Sequence, residues 1–505
     1  MSVNQLKAGA VLNYVILSLN AVVGFIYTPF MLRMLGQSEY GIYSLAASII
    51  AYLSMLDLGF GNAVIRYTAK FRAEGKIDEQ YSMFGLFTVL YSLIGLIVII
   101  IGVFFYFNID SIFGKTLTTI ELERTRLIVM LMVINLAVTF PLSIYGAIIT
   151  AYENFIFLRV VQIVRILLST AVLVALIAYG YKAVALVVAH TAFNIVTLGL
   201  NYFYCRKKIK IKLWFKRPDT LFLREISVYS FWIFLNAIMD RIYWSTGQFV
   251  LGATSGTKAI SVFAVAIQLQ GMYIMFSNGI SGVFLPRVTS MVSKNCNAGV
   301  ISDLFIKVGR IQYFVLSLIL SGFIVFGRSF ISQWAGPGYE ETYVITLIFF
   351  VALIIPLMQN LGITILMARN QMKFRSLLYL GISLCSLVFQ IPLSKYYGGV
   401  GCAVAIGVAL LLGQGLIINV YYSWVQKINI PRFWREIIRM SIAPAAVTVL
   451  AVFVCSRISI DNLCSLVISV LVYTVLYVLS FFFFSMNGYE RSLFVSPVMR
   501  LMKIK

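Results

Sequence analysis

Charged and amide side chains lie inside long apolar stretches of this sequence, where an ionisable group is costly and usually faces a cavity rather than lipid. The clearest case is the seventh apolar stretch, in which Asn236, Asp240, Tyr243 and Gly247 recur at helical spacing and make one polar face. Arg241 lies about 100° away on the same helix and borders that face. Two interpretations are open for Arg241: a cation that faces a cavity, or one half of a structural ion pair. Asp240 is either a counter-charge for a cation in the cavity or the fixed partner of one.

Other apolar stretches carry a few polar groups each. Asp57 precedes a glycine-rich helix end, so a capping role and a gating role are both open. His190, the only histidine, is either a hydrogen-bonded packing residue or a proton switch, and Arg165 either reaches the interface or faces the cavity. The remaining groups are Asn13, Asn20, Gly24 and Tyr27 in the first stretch, Asn62 in the second, Asn135 in the fourth, Gln162 in the fifth, Asn194 in the sixth, and Gln268, Gln270 and Asn278 in the eighth.

Motifs that indicate an enzyme or an ATP-driven pump are missing from the sequence. It has no HExxH zinc motif, no GxxxxGK[ST] phosphate loop and no DxD-like pair for a nucleotide-sugar metal. The sole histidine sits inside an apolar stretch, which removes most acid–base and triad schemes. Six cysteines are scattered without a CxxC pair. We therefore expect a transporter that uses no metal and no cofactor, with coupling to H⁺ or Na⁺ left open.

The composition is that of a membrane protein with many spans. Of the 505 residues, 61% are hydrophobic and only 11% are charged, and the mean hydropathy is +0.94. Nearly every window of 20–25 residues is long enough to cross a hydrocarbon core of about 30 Å as a helix. The pattern predicts an all-α polytopic membrane protein with about 14 transmembrane helices. No loop is long enough for a folded external domain, which argues against an enzyme with an external catalytic domain.

The basic residues predict the orientation. The net charge is +22, but its residues lie between apolar stretches rather than on one polar face, so we expect contacts with anionic headgroups and no nucleic acid. With the N-terminus inside, most of the 40 Lys and Arg fall on the cytoplasmic side, including those of the basic stretch 205–225 and of the C-terminal tail. Both termini are therefore expected in the cytoplasm.

The two halves of the sequence resemble each other at an offset of 218 residues. Tyr179-Gly180 corresponds to Tyr397-Gly398, and Asn201 to Asn419. Because each copy holds an even number of spans, the copies would be parallel and related by a pseudo-two-fold axis along the membrane normal. The predicted organisation is a six-helix lobe at 1–204, a basic cytoplasmic linker at 205–225, a second six-helix lobe at 226–425, and helices 13 and 14 with a cytoplasmic tail at 426–505.

Two motifs carry a resemblance to a known family. The run Leu35-Gly36-Gln37-Ser38-Glu39-Tyr40-Gly41-Ile42-Tyr43, followed by Asp57-Leu58-Gly59-Phe60-Gly61 and Arg66, resembles the N-terminal signature of polysaccharide-biosynthesis flippases. These are the O-antigen and repeat-unit translocases of the multidrug/oligosaccharidyl-lipid/polysaccharide (MOP) exporter superfamily. The resemblance implies a two-lobe fold with alternating access. It also implies a cargo of undecaprenyl-diphosphate-linked oligosaccharide, flipped to the outer leaflet for O-antigen, capsule or exopolysaccharide synthesis, with polymerase machinery as a further partner.

Such a cargo assigns expected roles to the polar residues. Its diphosphate would need cations along its path, and Arg66, Arg241 and Arg287 are candidates. Arg33 either receives the headgroup or anchors the end of the first span. The sugar hydroxyls would contact amide and phenol groups, and Asp57, His190 and Asp240 are the candidates for gating or ion coupling. The candidates for contact with the sugar are Asn20, Tyr27, Asn236, Tyr243 and Gln268, with Asp240 also in the binding set.

Two alternatives remain open at this point. Ion-coupled multidrug export is the runner-up, although the acidic coupling residue often found in the first span of that branch is missing here. A membrane-embedded glycan polymerase or ligase is disfavoured by the repeat and by the short external loops. Peptidoglycan-precursor flippases carry several arginines within the first span, whereas this span is uncharged until Arg33.

Overall fold

The computed structural model is all-helical over the residues that it describes, in agreement with the predicted fold class. These are residues 5–215, 224, 226, 234–235, 238–294, 296–369, 371–457 and 462–492. The helices are Gln5–Leu53 (α1), Phe60–Ala73 (α2), Ile77–Phe113 (α3), Thr119–Ala151 (α4), Phe155–Ala178 (α5), Ala183–Tyr204 (α6), Thr246–Thr254 (α7), Thr257–Gly282 (α8), Leu285–Ser293 (α9), Ala298–Trp334 (α10), Glu341–Met358 (α11), Leu361–Ala368 (α12), Lys373–Leu410 (α13), Ile418–Trp424 (α14), Ile430–Cys455 (α15) and Leu463–Ser480 (α16).

Eleven helical segments among the described residues are long and apolar enough to cross a membrane. Two of them, of 63 and 52 residues, far exceed the roughly 20 residues that one crossing needs. Each contains a glycine with non-helical angles, Gly36 (φ 78°, ψ 167°) in α1 and Gly398 (φ 54°, ψ −135°) in α13. Gly36 lies in the Leu35–Tyr43 run that carries the family resemblance, and Gly398 lies in the repeat pair Tyr397-Gly398. The chain is thus a multi-pass membrane protein, and the count of 14 spans and the two-fold symmetry stay predictions.

The chain forms two compact units, Met1–Ala264 (unit 1) and Val265–Lys505 (unit 2). Unit 1 is built around α3 and α4. These helices lie so close that a Cβ at Gly95 would clash with Ala137, and a Cβ at Gly102 with Val133, of the facing helix. Small residues commonly allow such approach between helices in lipid. Unit 2 is built around α10 and α11, with Tyr273 of α8 stacked 4.3 Å from the ring of Phe350. The predicted lobe and linker boundaries stay predictions.

The described part of the basic stretch, residues 205–215, packs against α3 within unit 1. After the π-turn Cys205–Ile209, Lys210 adopts left-handed angles (φ 60°) and the chain turns back towards α3. The Trp214 backbone N–H donates to the Tyr81 carbonyl over 3.1 Å, and the two rings meet edge to face. Residues 205–215 are therefore part of the folded unit.

Candidate functional site

The motif around Gly36 builds one end of unit 1, which we call the Gly36 end (residues 36–41, 116–124, 183 and 252–257). The Ser38 hydroxyl donates to Glu121 Oε1 over 2.5 Å, and the Thr257 hydroxyl donates to the same oxygen over 2.7 Å. Glu39 is buried, forms an ion pair with Arg124, and accepts from a backbone N–H of α6. These contacts join the middle of α1 to the starts of α4, α6 and α8.

Close contacts between backbone segments also stabilise the Gly36 end. A Cβ at Gly41 would clash with the backbone carbonyl of Thr257. The Thr116 hydroxyl donates to the Gly252 carbonyl over 2.5 Å, and Tyr52 bonds to Thr246. Residues of the predicted second lobe, 246–257, thus pack directly on helices of the predicted first lobe. We call this arrangement, in which residues 246–257 contact α1 and the segment before α4, the closed form of the Gly36 end.

Asp57 has a defined partner on α3. It ends a short 3₁₀ helix, and Leu58 (φ 52°) and Gly59 (φ 68°) follow in left-handed conformations before α2 begins. The Tyr91 hydroxyl donates to Asp57 Oδ1 over 2.8 Å, and the Tyr91 ring stacks 6.1 Å from that of Phe140. Asp57 therefore ties the break between α1 and α2 to the core, while its proposed gating role stays a prediction.

Four of the predicted site residues are exposed on unit 1 within or beside its apolar helices: Asn20, His190, Asp240 and Arg241. His190 lies close enough to Arg165 of α5 for their charges to interact. The cavity-facing roles of these side chains stay predictions.

Tyr27 and Tyr243 differ in their surroundings. Tyr27 is partly exposed, whereas Tyr243 is fully buried at 0% exposure and its ring lies 5.5 Å from that of Trp244. The helix that carries Asp240 breaks at Ser245, and Gly247 in α7 is also buried. The structure thus does not expose Asp240, Tyr243 and Gly247 together as one polar face. Asn236 lies outside the described residues.

The remaining predicted cations of unit 1 are exposed. Arg66 lies on α2 with its guanidinium 5.6 Å from the centre of the Tyr67 ring, and Arg33 lies three residues before Gly36. Towards the same end of α2, Arg72 lies 4.1 Å from the Tyr152 ring and donates to the Ala151 carbonyl over 3.1 Å. Arg72 is therefore structural, whereas the roles of Arg33 and Arg66 stay predictions.

In unit 2, the region around α8 contains a polar network. The Asn360 amide donates to Ser277 Oγ over 3.1 Å and to Asn278 Oδ1 over 2.8 Å. Gln312 of α10 is fully buried and contacts Ser277 as well. Gln268, the predicted site residue, is partly exposed on the same helix α8. The network bridges α8 to the break between α11 and α12.

Arg287 lines a cavity of about 190 Å³ at the end of unit 2 where α9, the start of α10 and the C-terminal segment meet. Nearby, Arg310 is 5% exposed and forms a buried ion cluster. It donates to both oxygens of Glu490 over 2.5 and 2.8 Å and to Glu436 over 2.7 Å. Its second terminal nitrogen also donates to the Ser485 carbonyl over 3.0 Å. The cluster fixes the C-terminal segment and α15 to α10.

A second cavity of unit 2, of about 390 Å³, is lined almost entirely by apolar side chains of α8, α10, α11 and α16. Phe276, Phe323 and Leu466 are representative of its walls. Within the described ranges, no group of three or more His, Cys, Asp and Glu side chains could hold a metal ion.

Sequence reasoning missed several pairings that the structure makes. Glu121 and Arg124 were not singled out, although Thr118-x-x-Glu121 is a recognisable capping-box pattern and that box is formed. Asn194 donates to Asn135 and Thr139 of α4 over 2.8 and 2.7 Å, so it joins helices rather than facing a cavity. Pairings of this kind link positions 55 or more residues apart, and no local pattern encodes them.

Comparison with known proteins identifies what the chain is similar to. The family model described as polysaccharide biosynthesis protein matches residues 6–292. A Bacillus subtilis (strain 168) relative, "Uncharacterized membrane protein EpsK", is 23% identical over 85% of this chain and 85% of its own length. The "Putative O-antigen transporter" of Escherichia coli (strain K12) is 23% identical over 81% of this chain and 94% of its own length.

Solved structures show the same fold at low identity. The lipid II flippase MurJ in an inward closed conformation superposes with a TM-score of 0.71 and 17% identity, over 97% of this chain and 99% of that one. An inward-facing multidrug-resistance MATE transporter of the MOP superfamily gives 0.61 and 13%, over 81% of this chain and 99% of that one. The chain therefore has the fold shared by these transporters.

Proposed function

The chain belongs to the polysaccharide biosynthesis protein family, and from that premise we propose that it is a flippase for undecaprenyl-diphosphate-linked oligosaccharide repeat units. It moves them from the cytoplasmic to the outer leaflet for surface polysaccharide synthesis. The observation that carries the proposal is the fold likeness to a lipid flippase over 97% of the chain. The name of the Escherichia coli relative, an O-antigen transporter, supports the same substrate class.

The exposed polar groups of unit 1 fit the headgroup of such a lipid. Arg241 and Arg66 are exposed cations, and an arginine binds phosphate oxygens through two parallel hydrogen bonds. Asn20 and Tyr27 offer amide and phenol groups for sugar hydroxyls. Because lipid-facing charge at this depth is costly, these side chains support a polar path through the protein. The apolar cavity of unit 2 suits a hydrocarbon chain rather than a sugar.

Transport by alternating access requires the closed Gly36 end to open. The contacts that hold residues 246–257 there are the Thr257 bond to Glu121, the Tyr52 bond to Thr246, the Gly41 approach and the Thr116 bond to Gly252. Parting residues 246–257 from α1, α3 and α4 would break these contacts and leave each helix intact. Rocking of the predicted lobes is the motion that would do this.

We place the protein in the bacterial inner membrane with both termini in the cytoplasm, on the strength of its charge bias. Coupling to H⁺ or Na⁺ through Asp57, His190 or Asp240 is part of the proposal, with no cofactor. Polysaccharide polymerase machinery is the proposed downstream partner.

The test is reconstitution into liposomes with an undecaprenyl-diphosphate oligosaccharide and an external enzyme that modifies only exposed glycan. Movement above that in protein-free vesicles is expected, and Arg241→Ala should reduce it while membrane insertion is unchanged. Lys207→Ala, which removes an exposed cation from the basic stretch, is the matched control and should transport normally. No movement of several such lipids by the wild-type protein would refute the proposal.

Multidrug export is the second candidate, since the fold is also that of an inward-facing MATE transporter. Asp57 and Asp240 would then be sites of ion coupling. Ion-dependent efflux of cationic dyes from the same vesicles, without lipid movement, would favour this alternative.

A further inference from the structure

The cavity of about 190 Å³ in unit 2 has an unusual charge balance. Arg287 of α9 and Lys307 of α10 both line it and both are exposed. The one acid in its wall, Asp303, is paired with Arg432 over 2.7 Å. The negative charge of Asp303 is therefore already balanced by a cation, and the cavity has an excess of positive charge.

The two exposed cations differ from Arg310, the buried cation nearby. Arg310 is saturated by Glu490, Glu436 and Ser485. Arg287, in contrast, makes no hydrogen bond or ion pair with any residue in the described part of the chain, and Lys307 contacts only the Tyr489 ring, 5.3 Å from its centre. Since that cation–π contact steers the ammonium without using its N–H donors, both cations keep donors for a ligand.

The walls define what the ligand can be. A volume of 190 Å³ is below the roughly 300–1,000 Å³ of typical small-molecule sites, so a phosphate group fits and an oligosaccharide does not. Val300, Leu304 and Ile311 make the rest of the wall apolar, which suits the glycerol or hydrocarbon part of a lipid. The charge bias predicts this end to be cytoplasmic, the leaflet in which anionic headgroups are enriched.

We propose that this cavity binds the phosphate group of a membrane lipid, with Arg287 and Lys307 as its ligands and Tyr489 as the residue that positions Lys307. The phosphate belongs either to an anionic phospholipid or to the polyprenyl diphosphate of the cargo, and only the second source rests on the proposed function. Because Glu490 is bound to Arg310, the wall that carries Tyr489 is held in place before the lipid arrives. The site is thus preformed.

The test is binding of short-chain lipids to the purified full-length protein in neutral detergent, by microscale thermophoresis. The probes are dihexanoyl phosphatidylglycerol, zwitterionic dihexanoyl phosphatidylcholine, geranyl diphosphate and inorganic pyrophosphate. We expect Arg287→Gln and Lys307→Gln each to weaken binding of the anionic probes about fivefold, and the double variant about 25-fold, from roughly 1 kcal/mol per charge. Tyr489→Phe should bind normally, and Tyr489→Leu should resemble Lys307→Gln.

Lys294→Gln is the matched control, because Lys294 is an exposed cation at the end of α9 that does not line the cavity. Weakening of phosphatidylglycerol and geranyl diphosphate binding together assigns a general lipid-phosphate site, and weakening of geranyl diphosphate binding alone assigns the cargo. Unchanged binding in the double variant, or an equal loss in Lys294→Gln, would overturn the site. Wild-type protein that binds these probes through Arg287 but moves no lipid-linked sugar would refute the proposed function and leave this site standing.

Discussion

The Gly36 end of unit 1 should shift towards the open form when the Thr257 hydroxyl is removed. Ser38 and Thr257 donate to the same carboxylate oxygen of Glu121 over 2.5 and 2.7 Å, but only the Thr257 bond crosses from residues 246–257 to α4. A hydrogen bond to a charged group contributes about 1.5–3 kcal/mol. Thr257→Val should therefore shift the balance between the closed and open forms by about 10–10²-fold.

Double electron–electron resonance would measure that shift. Spin labels at Lys115→Cys and Lys258→Cys, both exposed positions at this end, report its width once the six native cysteines are replaced. We expect one short distance in the parent protein and a second, longer distance in the Thr257→Val variant. The carboxylate itself stays bonded to the Thr118 backbone N–H over 2.9 Å, so α4 keeps its cap.

Thr254→Val is the matched control for this experiment. It also removes a threonine hydroxyl, but that hydroxyl donates within its own helix, to the Val250 carbonyl over 2.9 Å. A distance distribution unchanged by Thr257→Val in folded protein would refute the reasoning. So would a Thr254→Val variant that opens the end to the same degree.

Three further predictions concern the rest of the chain. Arg310→Met should lower the free energy of unfolding by about 3–5 kcal/mol, because it leaves the buried Glu490 carboxylate without its partner. Adding Glu490→Leu should restore most of that stability. Thermal unfolding in detergent checks this, and an equally unstable double variant would contradict it. The Gly338 backbone N–H donates to the Glu340 carboxylate over 3.0 Å and lowers the pKa of that carboxyl. The ionised carboxylate therefore stabilises this loop fully above the usual pKa of Glu. That stabilisation is lost as the pH falls through the lowered pKa of Glu340. Hydrogen-exchange protection factors, which correct for the intrinsic pH dependence of exchange, should show that loss, and Glu340→Gln should make the protection there independent of pH. A reporter fused after Lys505 should behave as cytoplasmic, and an external reporter would refute the predicted orientation.

Local patterns were enough to predict the helices and several of their ends. The apolar pattern predicts the last two spans at Ile437–Cys455 and Leu463–Ser485, and the helical segments end at the same residues, Cys455 and Ser485. Gly36 and Gly398 have non-helical angles, which glycine adopts at little steric cost.

What the sequence determined by itself is therefore the class of the protein, its helices and its family, since hydropathy, charge bias and motif spacing are local properties of the chain. The tertiary structure alone decided which polar groups are occupied by partners. Glu121, Arg310 and Asn194 bind residues that are distant in sequence, whereas Arg287 has no bonded partner among the residues that the structure describes, and Tyr243 is buried. The physical reason is that a polar side chain within a span has the same local pattern whether it joins two helices or faces a cavity. Only the packing of neighbouring helices determines which of these occurs.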